Sequence, residues 1–196
     1  MVATKGSKIK MNIYETIFLK PNESRMMSEA ILYEGKTYSY GEIDGFVHQM
    51  SSVLAEKGVC KNSKVMLSTE NPFNFLIEAL AISKIGAVFF PFFSGSTVEQ
   101  MDSIISRYDI NYLITGDFVE KREKWEVVEP KLINGMGVLY RFSENIDPTL
   151  EDIELVLFTS GTTSIPKAVM LTFTNVYSNV VAISDYLQLQ SSDKIL

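Results

Sequence analysis

LVLFTSGTTSIPKAVML, residues Leu155–Leu171, decides how this chain is read. Four apolar residues stop at a cluster of small hydroxylated residues around Gly161. Pro166 and Lys167 follow, and the apolar residues then resume. The pattern predicts a strand, a hydroxyl-rich loop and a second strand. Backbone N–H groups can point into one concavity if Gly161 supplies unusual backbone angles. The hydroxyls of Thr159, Ser160, Thr162 and Thr163 add donors, and Lys167 adds a positive charge. Such a loop can wrap phosphate oxygens. On composition alone, an ordinary surface loop of Ser, Thr and Gly looks the same. A P-loop is excluded by order, because Lys167 follows Pro166 and the next residues read as a strand, not a helix.

Apolar stretches of strand type alternate with helix-period stretches on both sides of this segment. That alternation predicts an α/β fold with helices layered on a mostly parallel sheet. AILYEGKTYSY reads as two short strands joined at Glu34-Gly35. Ser39 and Glu42 have capping-box spacing, and Ile43, Phe46, Val47, Met50, Val53 and Leu54 then share one helix face up to Gly58. SKVMLST is a strand. Asn71-Pro72 opens a helix that is apolar on nearly every side and ends at Gly86. AVFFPFF is a buried strand that Pro91 ends or bends. Thr97 and Gln100 box the next helix, whose inner stripe is Met101, Ile104, Ile105 and Tyr108. NYLIT is a strand, EKREKWEVVEP a short solvated helix anchored by Trp125, and GMGVLYRF a strand. Thr174 or Asn175 caps a last helix through VYSNVVAISDYL, and DKIL begins a further strand.

Composition sets bounds on function. The chain has 196 residues, about one large domain, and 46% are hydrophobic against 21% charged. A formal charge of −6 without Lys/Arg clusters argues against nucleic acid or an anionic membrane as main partner. The single cysteine, Cys60, reads as an exposed loop thiol and allows no intrachain disulfide, which fits a reducing, cytoplasmic setting. The single histidine, His48, falls off the apolar stripe of its helix and reads as solvated surface. The longest apolar stretch is broken by Lys84 and Pro91 and is too short to span a bilayer.

TSGTTSIPKAVML resembles the phosphate-binding signature of the AMP-forming adenylating enzymes: acyl-CoA synthetases, aryl-CoA ligases, adenylation domains of peptide synthetases, and luciferases. The family pattern is Thr/Ser-Ser-Gly-Thr-Thr-Gly-x-Pro-Lys-Gly. Thr159, Ser160, Gly161, Thr162, Thr163, Pro166 and Lys167 match it position for position. The likeness runs from about Ala30 to Leu196, through AILYEGKTYSYGEID and NPFNFLIEALAISKIGAVFFPF, and is weakest over residues 117–150. Two positions depart from it: Ser164 and Ala168 stand where family enzymes usually have glycine. A positive φ at Ser164 would cost about a kcal/mol, and Ala168 adds a methyl where backbone approaches closely.

The resemblance implies that residues 1–196 are the N-terminal portion of the large domain of an AMP-forming ligase. It implies that Thr159, Ser160, Gly161, Thr162, Thr163 and Lys167 hold the β- and γ-phosphates of ATP. The reaction implied joins a carboxylic acid to AMP, releases pyrophosphate and passes the acyl group to a thiol, with Mg²⁺ and either coenzyme A or a carrier protein's phosphopantetheine. The family's adenine-binding, acyl-pocket, Mg²⁺-binding and catalytic-lysine positions lie later than this chain reaches. These 196 residues alone are therefore expected not to turn over, and no catalytic residue is assigned in them. Three readings follow: a CoA ligase, an adenylation domain loading a carrier protein, and a non-catalytic remnant or interaction module of the same fold.

Overall fold

The computed structural model describes residues 11–116, 125–150, 152–159, 167–190 and 193. The chain opens on helical turns of three kinds: a π-helical stretch (Tyr14–Leu19), a single turn α1 (Lys20–Asn22) and a 3-10 turn (Glu23–Arg25). No helix was expected there from sequence. Tertiary polar contacts hold it. Tyr14 N–H donates to Ser83 Oγ at 3.2 Å, and Ile13 N–H donates to Glu154 Oε1 at 2.9 Å.

Strands β1 (Glu29–Tyr33) and β2 (Lys36–Ser39) form the expected hairpin. Glu34 and Gly35 both have positive φ, 49° and 76°, as a tight two-residue turn requires. Tyr33, Tyr38, Phe46 and Phe73 stack in one aromatic group that fastens the hairpin to helices α2 (Tyr40–Glu56) and α3 (Pro72–Ile85). The α2 capping box is formed: Glu42 N–H donates to Ser39 Oγ and Ser39 N–H donates to Glu42 Oε2. Helix α3 starts with the Asn71 side chain accepting from Phe73 and Asn74 N–H, and ends at Gly86, φ 80°. Ile77, Leu80, Ala81 and Ile82 are buried along α3, and each large one contributes about 1.5–3 kcal/mol on leaving water.

The main sheet runs β6-β7-β5-β3-β4-β8-β9. Its centre is parallel: β3 (Lys64–Ser68) pairs with β5 (Tyr112–Thr115) and β4 (Val88–Pro91), and β4 pairs with β8 (Ile153–Thr159). Antiparallel strands flank it, β7 (Val138–Arg141) and β6 (Glu126–Glu129) on one side and β9 (Lys167–Thr172) on the other. Side chains along β3 alternate between two cores. Val65 and Leu67 join α2 and α3 on one face. Met66 joins Met101, Ile104 and Ile105 of α4 (Val98–Tyr108) on the other. This is the expected α/β layering, with the sheet more mixed at its margins than the sequence suggested.

Two local expectations are corrected. Residues 126–129 form strand β6, not a helix. Their glutamates work across the sheet: Arg141 donates twice to Glu126 at 2.9 Å, and Lys57 pairs with Glu129 at 2.9 Å. Residues 117–124, which include the start of the expected helix, lie outside the described residues. Trp125 is the anticipated anchor, buried against Tyr140 and Phe142 with its indole N–H donating to Asp102 Oδ1 at 2.7 Å. Helix α5 (Phe173–Leu187) is capped by Thr172, neither by Thr174 nor by Asn175. Asn175 is instead the third-residue partner of that box, accepting from Thr172 N–H at 3.0 Å. Of the strand expected at DKIL, only Asp193 is described, and it has no regular structure.

Candidate functional site

Sheet topology places the sequence signature. β8 runs parallel to β4, so its carboxyl end emerges on the same edge as those of β3, β4 and β5. In open α/β sheets that edge is where ligands bind, because loops there converge outside the strand ends. β9 returns antiparallel, with Phe158 opposite Ala168 and Thr159 opposite Lys167. The two stems of the signature, Thr159 and Lys167, are therefore fixed opposite each other at that edge. Thr159 Oγ1 donates to the Lys167 carbonyl at 3.4 Å, and both residues are exposed. Ser160, Gly161, Thr162 and Thr163 lie outside the described residues, as do Ser164 and Pro166. A strand and not a helix follows at Lys167, which agrees with the exclusion of a P-loop.

Ala168 raises no strain. Its φ is not positive, it sits in a regular strand, and its methyl packs against the core that holds Met66, Phe90 and Val156. In this chain the methyl fills core space.

A polar recess of about 230 Å³ opens on the same edge. Ser68 and Thr69 reach it from the end of β3, Thr115 from the end of β5, and Asn71 and Asn74 from the first turn of α3. Ser94 closes the side after β4. With strands about 4.8 Å apart and β8 two strands from β3, the ends of β3 and β8 are roughly 10 Å apart across the sheet. Glu78 lies behind the recess, one turn along α3 from Asn74, and is fully buried. Thr69 Oγ1 donates to its Oε2 at 2.7 Å, and Oε1 finds no partner among the described residues. Burial pushes the Glu78 carboxyl up to about 8, against the downward pull of the Thr69 hydroxyl. Sequence reading missed this group. The one signal was a lone glutamate inside the apolar run FLIEALAI.

His48 and Cys60 stay outside this geometry. Cys60 is exposed, as expected. His48 is exposed on α2, with Nε2 3.3 Å from Tyr14 Oη, 3.4 Å from Lys84 Nζ and 3.6 Å from Asp44 Oδ2. Among the described residues, no three or more His, Cys, Asp or Glu side chains converge to hold a metal ion. No described helix is long and apolar enough to cross a membrane.

Comparison with known proteins gives this geometry a family. The model of the AMP-binding enzymes matches residues 20–196. Gramicidin S synthase 2 of Brevibacillus brevis is 25% identical over 182 residues, 92% of this chain and 4% of its own length. Bacitracin synthase 2 of Bacillus licheniformis is 23% identical over 169 residues, 85% of this chain and 6% of its own length. The chain thus spans only a small part of the curated relatives it matches. Among solved structures, a variant of o-succinylbenzoate CoA synthetase (MenE) from Bacillus subtilis superposes with a TM-score of 0.74 at 19% identity, over 94% of this chain and 38% of that one. Apo MatB from Rhodopseudomonas palustris gives 0.70 at 21% identity, over 93% and 39%. These structural likenesses speak for the fold. With the family model matched over residues 20–196, the chain belongs to the family of AMP-binding enzymes.

Proposed function

We propose that this chain is the N-terminal portion of the adenylating domain of an ATP-dependent, AMP-forming acid–thiol ligase. The observation that supports the reading is the Thr159–Lys167 register, which sets both ends of the signature at the carboxyl edge of the parallel strands. In this reading Thr159, Ser160, Gly161, Thr162 and Thr163 donate to the β- and γ-phosphate oxygens of ATP, and Lys167 adds charge to the same group. A carboxylic acid substrate is already an ionised nucleophile, so its attack on the α-phosphorus needs no general base. What has to be stabilised is charge on the in-line transition state and on the leaving pyrophosphate. That task suits a loop of donors and a lysine. Mg²⁺ would neutralise phosphate charge when it enters with the nucleotide, and no described residue is assigned to hold it.

An apolar surface supports the placement within a larger domain. Along the 15 residues of α5 only Phe173 is buried. Val180, Val181, Ile183, Tyr186 and Leu187 are exposed, beside Leu157, Val169 and Met170 of β8 and β9. A patch of this kind marks a surface that other polypeptide covers. The acceptor is either coenzyme A or the phosphopantetheine of a carrier protein.

Carboxylate-dependent ATP–pyrophosphate exchange by the full-length protein tests this reading. Lys167→Ala removes a charged contact and is expected to weaken ATP binding about 10- to 100-fold. Thr162→Ala removes a neutral one and is expected to cost about 5- to 10-fold. Exchange that survives Lys167→Ala unchanged would refute the phosphate role. No exchange with any acid, in a folded sample, would support a non-catalytic module.

A further inference from the structure

The recess lies at the carboxyl ends of β3 and β5, two strands from β8, and its described lining does not suit the triphosphate assigned to the signature. Among the described residues that line it there is no lysine or arginine, and no side chain more apolar than threonine. Its floor holds an unusual group. Ser68 is only 3% exposed, lines the recess, and its hydroxyl has no partner among the described residues. A buried hydroxyl left unpaired costs about 1–3 kcal/mol, so the site carries an unmet demand for a hydrogen-bonding ligand.

The charge of that ligand follows from the walls. Glu70 stands at the rim without a facing cation among the lining residues, which disfavours an anion. The first turn of α3 also offers an anion nothing, because Asn71 Oδ1 already accepts from Phe73 N–H and Asn74 N–H, each at 3.0 Å. The positive end of this 14-residue helix faces the recess through Asn71 and Asn74, which disfavours a cation. A neutral ligand is what remains. Thr69 commits its proton to Glu78, so it presents only lone pairs to the recess, whereas Ser68 can donate and accept. The ligand group must therefore carry donors and acceptors together.

We propose that this recess is a second binding site, for a neutral group bearing both hydrogen-bond donors and acceptors, of the carboxamide or alcohol class, seated on Ser68 and Thr69. The proposal stands apart from nucleotide binding at the hairpin.

Amide NMR of the full chain, titrated with N-methylacetamide, glycerol, methylammonium and acetate in parallel, tests it. Saturable shifts at Ser68, Thr69 and Thr115 with N-methylacetamide identify the carboxamide. The same shifts with glycerol alone identify the alcohol. The charged probes should bind at least tenfold more weakly. Ser68→Ala should weaken the neutral probe about fivefold with the thermal midpoint unchanged or raised, since that hydroxyl holds no structural bond. Absence of saturable shifts with both neutral probes overturns the proposal. So does equal binding of methylammonium or acetate, or undiminished binding by Ser68→Ala.

Discussion

Replacing Glu78 by glutamine should make the protein more stable, by an amount that grows with pH. Glu78 is fully buried, and its carboxyl is pushed from an ordinary 4.5 to about 8. Between those values the folded state holds a proton that the unfolded state has released. Stability therefore falls as pH rises: the contribution is full below 4.5 and gone by about 8. At about 1.36 kcal/mol per pH unit, neutral pH lies 2.5 units above the unfolded value, a loss of about 3 kcal/mol. The full 3.5-unit span gives about 5 kcal/mol. Glu78→Gln stays neutral at every pH and keeps an oxygen to accept from the Thr69 hydroxyl. Urea unfolding, followed through the buried indole of Trp125, should show a gap between variant and wild type below about 1 kcal/mol near pH 5. It should widen to about 3 at pH 7 and about 5 above pH 8. A gap that does not change with pH would refute the reasoning, as would a variant less stable than wild type at pH 8.5.

Two further perturbations test the fold. Glu154→Ala removes the acceptor for Ile13 N–H and for the Ser83 hydroxyl, at 2.9 and 2.6 Å. It should cost about 2–3 kcal/mol, and hydrogen exchange at Ile13 and Tyr14 should quicken before the central strands respond. Gly137 has φ 142°, and a Cβ there would stand 2.6 Å from the Thr115 carbonyl oxygen. Gly137→Ala should therefore cost about 3 kcal/mol in denaturant unfolding, with its damage centred on the β5–β7 pairing.

Signals carried by bonds between near neighbours are legible in the sequence, and those carried by remote partners are not. Ser39 with Glu42, Thr97 with Gln100, and Asn71 before Pro72 mark helix starts through bonds that span three residues, so spacing alone reveals them. Thr172 escaped because its reciprocal partner is asparagine, not the glutamate or glutamine the rule names. Strand β6 escaped because Glu126 and Glu129 resemble a solvated helix face, while their partners Arg141 and Lys57 are remote in sequence. The N-terminal turns rest on Ser83 and Glu154, which no local pattern connects to Ile13 or Tyr14. At the signature, the two strands were legible, and the structure adds their antiparallel register, which sets Thr159 opposite Lys167. The recess at Ser68 and Thr69 was not legible, since it brings together the ends of β3 and β5 and the first turn of α3, which are remote in sequence.

The sheet ends differently on its two sides. The β6 rim is fenced: Glu126 and Glu129 stand along it, and the ladder slips between Val127 and Glu129. Beyond Lys167 the β9 rim is AVMLT, with no charge and no slip after the first two pairs. Among the described strands, the second rim is open to a foreign strand and the first is not. Residues 1–196 on their own should therefore self-associate from one side only, and a lysine at Val169 or Met170 would be the barrier to add.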